Sequence, residues 1–122
     1  MPFSYSIDLE KGVVNVRGWG EISWDNLSEH LGHLLSDPAL PHPYRHLVDL
    51  REAENFTLTS DDARKTAALF AQRPALIDGR LAFIATEPLV YGMVRVLQAV
   101  SRKTINIGVF SNRAEAEAFL EL

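Results

Sequence analysis

A chain of 122 residues has the size of one domain and leaves no room for a catalytic unit plus a second module. With 47% hydrophobic and 23% charged residues it can bury a core, which excludes a disordered chain. Twelve Lys and Arg against sixteen Asp and Glu give a net charge of -4. No segment gathers enough bases to track a phosphate backbone, so nucleic acid is not an expected partner. The absence of Cys excludes disulfides, thiolate metal sites and a Cys nucleophile. No basic segment followed by an apolar one opens the chain, and no apolar run reaches the ~18 residues of a membrane span. The expectation is a soluble cytoplasmic protein forming a single domain over residues 1–122.

Phe3, Tyr5, Ile7 and Leu9 alternate with Ser4, Ser6, Asp8 and Glu10, the period of a strand with one wet face. Glu10-Lys11-Gly12 supplies a turn into Val13, Val14 and Val16, a second strand ending at Gly18 and forming an antiparallel hairpin with the first. Gly18-Trp19-Gly20 then reads as irregular backbone before an N-cap at Ser23. Trp24, Leu27, Leu31, Leu34 and Leu35 make one apolar stripe of a helix that Pro38 stops. The proline-rich connection of residues 37–43 is too short and too apolar for a domain linker. Residues 46–51 read as a third strand, and residues 57–62 as a capped helix start with acids in its first turn. That helix runs to about Arg73 on a slight stripe of Ala63, Ala67, Phe70 and Ala71.

Pro74 and Asp78-Gly79 punctuate the way to the apolar run of residues 81–85, the expected central strand. Pro88 suits the first turn of a helix over residues 89–100, and residues 105–110 form a final strand. Ser111 is the expected cap of a last helix that turns Ala116, Phe119 and Leu120 inward. The order ββαβαβαβα defines an α/β domain, with a mixed, mostly parallel five-stranded sheet flanked by about four helices. In such open sheets function sits at the carboxyl ends of the strands, here the loops of residues 19–22, 51–60, 86–91 and 111–113.

Familiar catalytic signatures are missing. Gly18-Trp19-Gly20 lacks the third glycine of a dinucleotide fingerprint, and neither a P-loop nor a G-x-S-x-G elbow occurs. His30 and His33 lie away from the leucine stripe, and His42 and His46 flank a loop, so solvated histidines rather than a metal site are expected. Asp49, inside an apolar strand, is expected to hold a structural hydrogen bond. The helix of residues 89–100 carries one apolar stripe in Val90, Met93, Val94 and Leu97. A second, in Leu89, Gly92, Val96 and Ala99, is too much for a helix that covers one sheet face. Tyr91, Arg95, Gln98 and Arg102 line its remaining face, a candidate partner surface or anion-binding edge.

Five stretches carry a family likeness: Tyr5-Ser6-Ile7-Asp8, His46-Leu47-Val48-Asp49-Leu50-Arg51, Arg80-Leu81-Ala82-Phe83-Ile84-Ala85, Val90-Tyr91-Gly92-Met93-Val94-Arg95, and Val109-Phe110 before Glu115-Ala116-Glu117-Ala118. Over nearly its whole length the sequence resembles the SpoIIAA-like, STAS/Sec14-type group of small bacterial domains. The resemblance implies a mixed five-stranded sheet, no enzyme activity and no cofactor. In the anti-sigma-factor antagonist branch a Ser or Thr at the helix start after the third strand is phosphorylated, and Thr57, Thr59 and Ser60 occupy that region. Leu58-Thr59-Ser60-Asp61 stands where that branch has an Asp-Ser-Ser-Gly type sequence, and a phosphate there would face Asp61 and Asp62, so capping is the expected duty of Thr59 or Ser60.

Two functions follow as expectations. The first is a non-enzymatic regulatory or protein-interaction domain, self-associating as a homodimer or meeting a protein partner through the helix of residues 89–100. The second is binding or sensing of a small amphipathic or anionic ligand in a Sec14-like pocket. That pocket would be lined by Trp19, Phe56, Tyr91 and Met93, with Arg51 or Arg95 on an acid headgroup. The candidate binding residues are thus Asp49, Arg51, Tyr91, Gly92, Met93, Arg95 and Gln98. An enzyme built on Asp49 and Arg95 lacks a nucleophile and base that can be paired.

Overall fold

The computed structural model describes residues 2–41, 43–73, 76 and 79–122. Its elements are β1 (Phe3–Asp8), β2 (Val13–Ile22), α1 (Trp24–Leu35), β3 (Arg45–Phe56), α2 (Ser60–Ala71), β4 (Arg80–Ile84), α3 (Pro88–Ser101), β5 (Asn106–Phe110) and α4 (Arg113–Phe119), the order expected from the sequence. The sheet runs β1-β2-β3-β4-β5. β1 pairs antiparallel with β2, and every later pair is parallel.

This monotonic strand order decides where the helices go. Right-handed crossovers that all step the same way along a sheet put every crossover helix on one face. One core accordingly joins Leu31 and Leu34 of α1, Ala63 and Phe70 of α2, and Val90, Val94 and Leu97 of α3 to Val14, Val16, Val48, Leu50 and Leu81 of the strands. α4 follows the last strand and closes the other face, where Ala116 and Leu120 bury Leu47, Ala82 and Ile84. The two Arg side chains nearest the C-terminal end of α4 hold it there. Arg80 donates to the Phe119 carbonyl at 2.7 Å and Arg45 to the Leu120 carbonyl at 3.1 Å, cations placed against the negative end of the helix. α4 packs on β4 and β5.

The helix starts are written in short-range chemistry. Ser23 Oγ accepts from the Asn26 amide at 3.3 Å and begins α1. Thr59 and Asp62 form a reciprocal capping box on α2, with Asp62 N–H to Thr59 Oγ1 at 3.2 Å and Thr59 N–H to Asp62 Oδ2 at 2.9 Å. Pro88 opens α3 in the first turn, where a missing N–H costs nothing. Asn112, not Ser111, caps α4, its side chain accepting from the Glu115 amide at 2.9 Å. No helix among the described residues is long and apolar enough to cross a membrane.

Several expected boundaries move. Leu9 belongs to the turn after β1 and is 78% exposed, because the alternation outlasts the pairing, which ends at Asp8↔Val13. β2 does not stop at Gly18: the chain stays in the sheet through residues 19–22, with register shifts between Arg17 and Trp19 and between Gly20 and Glu21. Gly20 sits at the second shift with φ of 64°, a left-handed conformation that glycine adopts without strain. β3 likewise continues through residues 52–56, pairing with that extension of β2, so two of the expected functional loops are strand. β4 is an interior strand, but the middle of the sheet is β3. His42, Pro74 and Asp78 lie outside the described residues.

Candidate functional site

Between the sheet and its three crossover helices lies a cavity of about 70 Å³ that opens to the surface. Its floor is the face of β3 and β4 carrying His46, Val48, Leu50, Leu81 and Phe83. Leu27, His30 and Leu31 close it from α1, Ala63, Thr66 and Phe70 from α2, and Met93, Val94 and Leu97 from α3. Its origin is legible in the side chains. α2 packs along α3, α1 packs on β1, and beside Phe70 α2 turns the small Ala63 and Thr66 toward the space between, where a close-packed interior would place larger groups.

Polar groups at this site are few. Thr66 Oγ1 donates to the Asp62 carbonyl at 2.9 Å, and the Asp62 carboxylate is taken by its capping box and by Lys65 at 3.7 Å. His30 is 5% exposed and its ring stacks on Phe3 with centroids 4.6 Å apart. His46, 2% exposed, meets the hydroxyl of the buried Tyr44 at 2.6 Å through Nδ1, while its Nε2 has no hydrogen-bond partner among the described residues. Burial holds both rings neutral, lowering His30 to about 4, helped by the charge of His33, and His46 to about 3, helped by that of His30. The same burial pushes the Tyr44 phenol up.

Both histidines were expected in solvent, and both are core residues. His30 follows the leucine stripe of α1 by one helical step and covers Phe3 at the sheet edge. The signal for it was the hairpin, which needs an aromatic-sized cover over Phe3 and Tyr5. His46 alternates in phase with Val48 and Leu50, so its direction follows from the strand period alone. His33 is exposed, as expected, so the pair on α1 does not converge.

Of the four residues expected to line a pocket, Phe56 and Met93 do so. Trp19 lies on the opposite face, where Arg17 stacks over its ring at 4.9 Å in a shallow depression of about 350 Å³ shared with Arg51 and Glu52. In and beside that depression Arg17 pairs with Glu52, and Arg51 with Asp49. Arg17 grips both oxygens of Glu52 at 2.6 and 2.8 Å. Asp49 accepts from Arg51 Nε at 3.0 Å, Nη2 at 2.7 Å and the backbone N–H at 3.1 Å, with Arg113 of α4 at 4.0 Å. The Arg51 guanidinium, first among these, holds the Asp49 carboxyl below its ordinary range. Asp49 thus holds hydrogen bonds of the kind an acid in an apolar strand needs, and Arg51, its partner, does not line the apolar cavity.

On α3, Val90, Val94 and Leu97 turn inward as expected and Tyr91 is half-buried outside the cavity lining. Gln98, expected on the candidate binding face with Tyr91 and Arg95, has its Nε2 donating to the Ile107 carbonyl at 2.7 Å, blunting the free edge of β5. Arg95 is exposed, and a side chain at Gly92 would meet nothing within 4 Å. Thr57, Thr59 and Ser60 are all exposed at the start of α2. Thr59 is occupied as the cap, and Thr57 Oγ1 reaches the Ile22 carbonyl at 3.4 Å.

No family model and no curated protein matches the sequence. The structure is similar to that of an uncharacterised protein of the DUF3478 family with a SpoIIAA-like fold from Shewanella loihica PV-4, with a TM-score of 0.61, 16% sequence identity, and coverage of 97% of this chain and 93% of that chain. The chain has a SpoIIAA-like fold, the fold that the sequence resemblance implied.

Proposed function

We propose that the protein is a non-catalytic binding domain that takes a small, largely apolar ligand in the cavity beneath α1 and α2. The observation that carries this reading is the cavity itself: an open, apolar space in an otherwise closely packed core, with polar groups few enough to orient a ligand rather than solvate an ion. The charged pairs on the other face are mutually satisfied and offer no competing acid site. Xenon dissolved under pressure is the first probe, because dry apolar cavities take it up. Saturable shifts are expected in the methyl signals of Leu31, Val48, Val94 and Leu97, with those of Val13 and Leu47 on the far face unmoved. Methyl signals that ignore xenon would remove the reading.

A regulatory role through self-association is the second reading, and the outer stripe of α3 favours it. Leu89 is 58% and Val100 40% exposed, and Gly92 and Ala99 between them allow close approach. With Glu87 before the helix and Arg102 and Lys103 after it, two copies packed antiparallel along α3 would set acids against bases at both ends. Sedimentation equilibrium at micromolar concentration is expected to give a dimer that Leu89→Glu converts to monomer. A wild-type chain that sediments as a monomer sinks this reading and leaves the cavity untouched.

A further inference from the structure

The two edges of the sheet are not alike. β5 at one edge has its Ile107 carbonyl taken by Gln98. β1 at the other carries none of the devices that blunt a free strand. Its six residues include no Pro, Lys or Arg, and they pair with β2 from Phe3↔Gly18 to Asp8↔Val13 without a register shift. The ladder fixes which of its backbone groups face outward. Trp19 N–H donates to the Pro2 carbonyl at 2.9 Å, so these two residues are a hydrogen-bonded pair. In an antiparallel ladder such pairs alternate, which makes Ser4 with Arg17, Ser6 with Asn15 and Asp8 with Val13 the next bonded pairs. The N–H and C=O groups of Phe3, Tyr5 and Ile7 therefore point away from β2, toward the edge.

A strand added at this edge has to match the alternation it meets. Phe3, Tyr5 and Ile7 pack on the core, while Ser4 and Ser6 are exposed on the opposite face. β1 is its own match. Set antiparallel to a copy of itself about a two-fold axis through Tyr5, it places Phe3 opposite Ile7, Tyr5 opposite Tyr5 and Ser4 opposite Ser6. Outward groups then meet outward groups at every core-facing position, and each such pair exchanges both of its N–H···O bonds. Shifting the axis to Ser4 or Ser6 takes Ile7 or Phe3 past the end of the partner strand, and a register between these turns apolar side chains to the polar face. Asp8, the one charged residue of β1, lies beyond the bonded pairs, so no like charges oppose each other. We infer that two copies of this chain pair through β1, antiparallel about Tyr5, and join their sheets into one with the crossover helices on a common face. The contact is isologous and uses no residue of β5 or α3, so it closes at two copies. Six residues a side fall short of the about 20–30 of a standard interface, which places the association at roughly 0.1–1 mM.

The test uses the full chain carrying Leu89→Glu, so that the α3 contact plays no part, between ~20 μM and ~1 mM. Amide hydrogen exchange is read residue by residue. Ser4 and Ser6, bonded to β2, are expected to be protected throughout, whereas Phe3, Tyr5 and Ile7 gain protection only as the concentration rises. Charges at the exposed Ser4 and Ser6 then read the register without touching the core. Ser4→Glu with Ser6→Lys sets opposite charges across the axis and should tighten the dimer roughly two- to tenfold, while Ser4→Lys with Ser6→Lys sets like charges there and should sediment as a monomer at ~1 mM. A chain that stays monomeric at ~1 mM without these changes, or a dimer indifferent to both pairs of substitutions, overturns the inference. So does protection of Phe3, Tyr5 and Ile7 already in dilute protein, since the chain would then cover its own edge. None of these outcomes touches the cavity or the α3 contact.

Discussion

Acidification from pH 7 to pH 5 is expected to cost the folded state about 4 kcal/mol, because two buried histidines refuse the protons that the unfolded chain takes up. In the unfolded chain each imidazole titrates near 6.5, whereas burial keeps His30 neutral down to about 4 and His46 down to about 3. Between those limits the unfolded state binds more protons than the native one, so stability rises with pH through the window and levels off above about 7. Each group contributes about 1.4 kcal/mol per pH unit. The native carboxylates act elsewhere: Asp49, paired with Arg51, and Asp37, hydrogen-bonded by the Ala39 amide and the Tyr5 hydroxyl, lie below the ordinary carboxylate range and lose their contribution only at more acid pH. Against a typical domain stability of about 5–15 kcal/mol, the histidine effect is large. Urea unfolding at pH 7.5, 6 and 5 measures it. His30→Leu should roughly halve the slope. A stability that stays flat from pH 7 to pH 5 would mean that these rings are hydrated in solution.

The acid sensitivity also marks where residue patterns stop being informative. Element order and the mixed sheet could be read from alternation and stripes, because burial on a strand or helix repeats with a fixed period and errors average out over ten residues. Ser23, Thr59 and Pro88 were legible for a different reason: capping acts over three residues and needs no knowledge of the rest of the chain. Asp49 was legible as well, since an acid inside an apolar strand must find a partner wherever the strand lies. His46 could have been placed from the strand period it shares with Val48 and Leu50, although it was expected in solvent; the place of His30 was not legible. An imidazole is equally at home in water and against an aromatic ring, so its place depends on whether Phe3 comes to lie beneath it, which the sheet decides. The bond of Gln98 was out of reach for the same kind of reason, because the free edge of β5 exists only once strand order is known. The cavity is still less local. It comes from Ala63 and Thr66 being too small at one crossing of helix and sheet, and a stripe of small residues reads identically whether its neighbours close the gap or leave it open.

That argument makes Phe70→Ala the most telling substitution in the core. Phe70 is 2% exposed, faces the cavity from α2, and is among the largest fully enclosed side chains there. Loss of a buried phenyl group costs about 3–5 kcal/mol when the surroundings cannot collapse into the space. Here collapse is hindered, since α2 is already held along α3 and pinned at its start by the Thr59 and Asp62 capping box. The hole should therefore persist and merge with the existing 70 Å³, reaching the size of engineered apolar cavities, ~150 Å³, that take up benzene. Two measurements follow from one variant. Chemical denaturation should give a loss of about 3–5 kcal/mol, and saturating benzene should return part of it through ligand linkage, raising the melting temperature of the variant well above any effect on the wild-type chain. A loss below about 1 kcal/mol would mean that the helices move inward readily and that the wild-type cavity is an accident of packing. Equal stabilisation of both chains by benzene would mean instead that the natural cavity already opens to ring-sized ligands, and α2 would then be its moving wall.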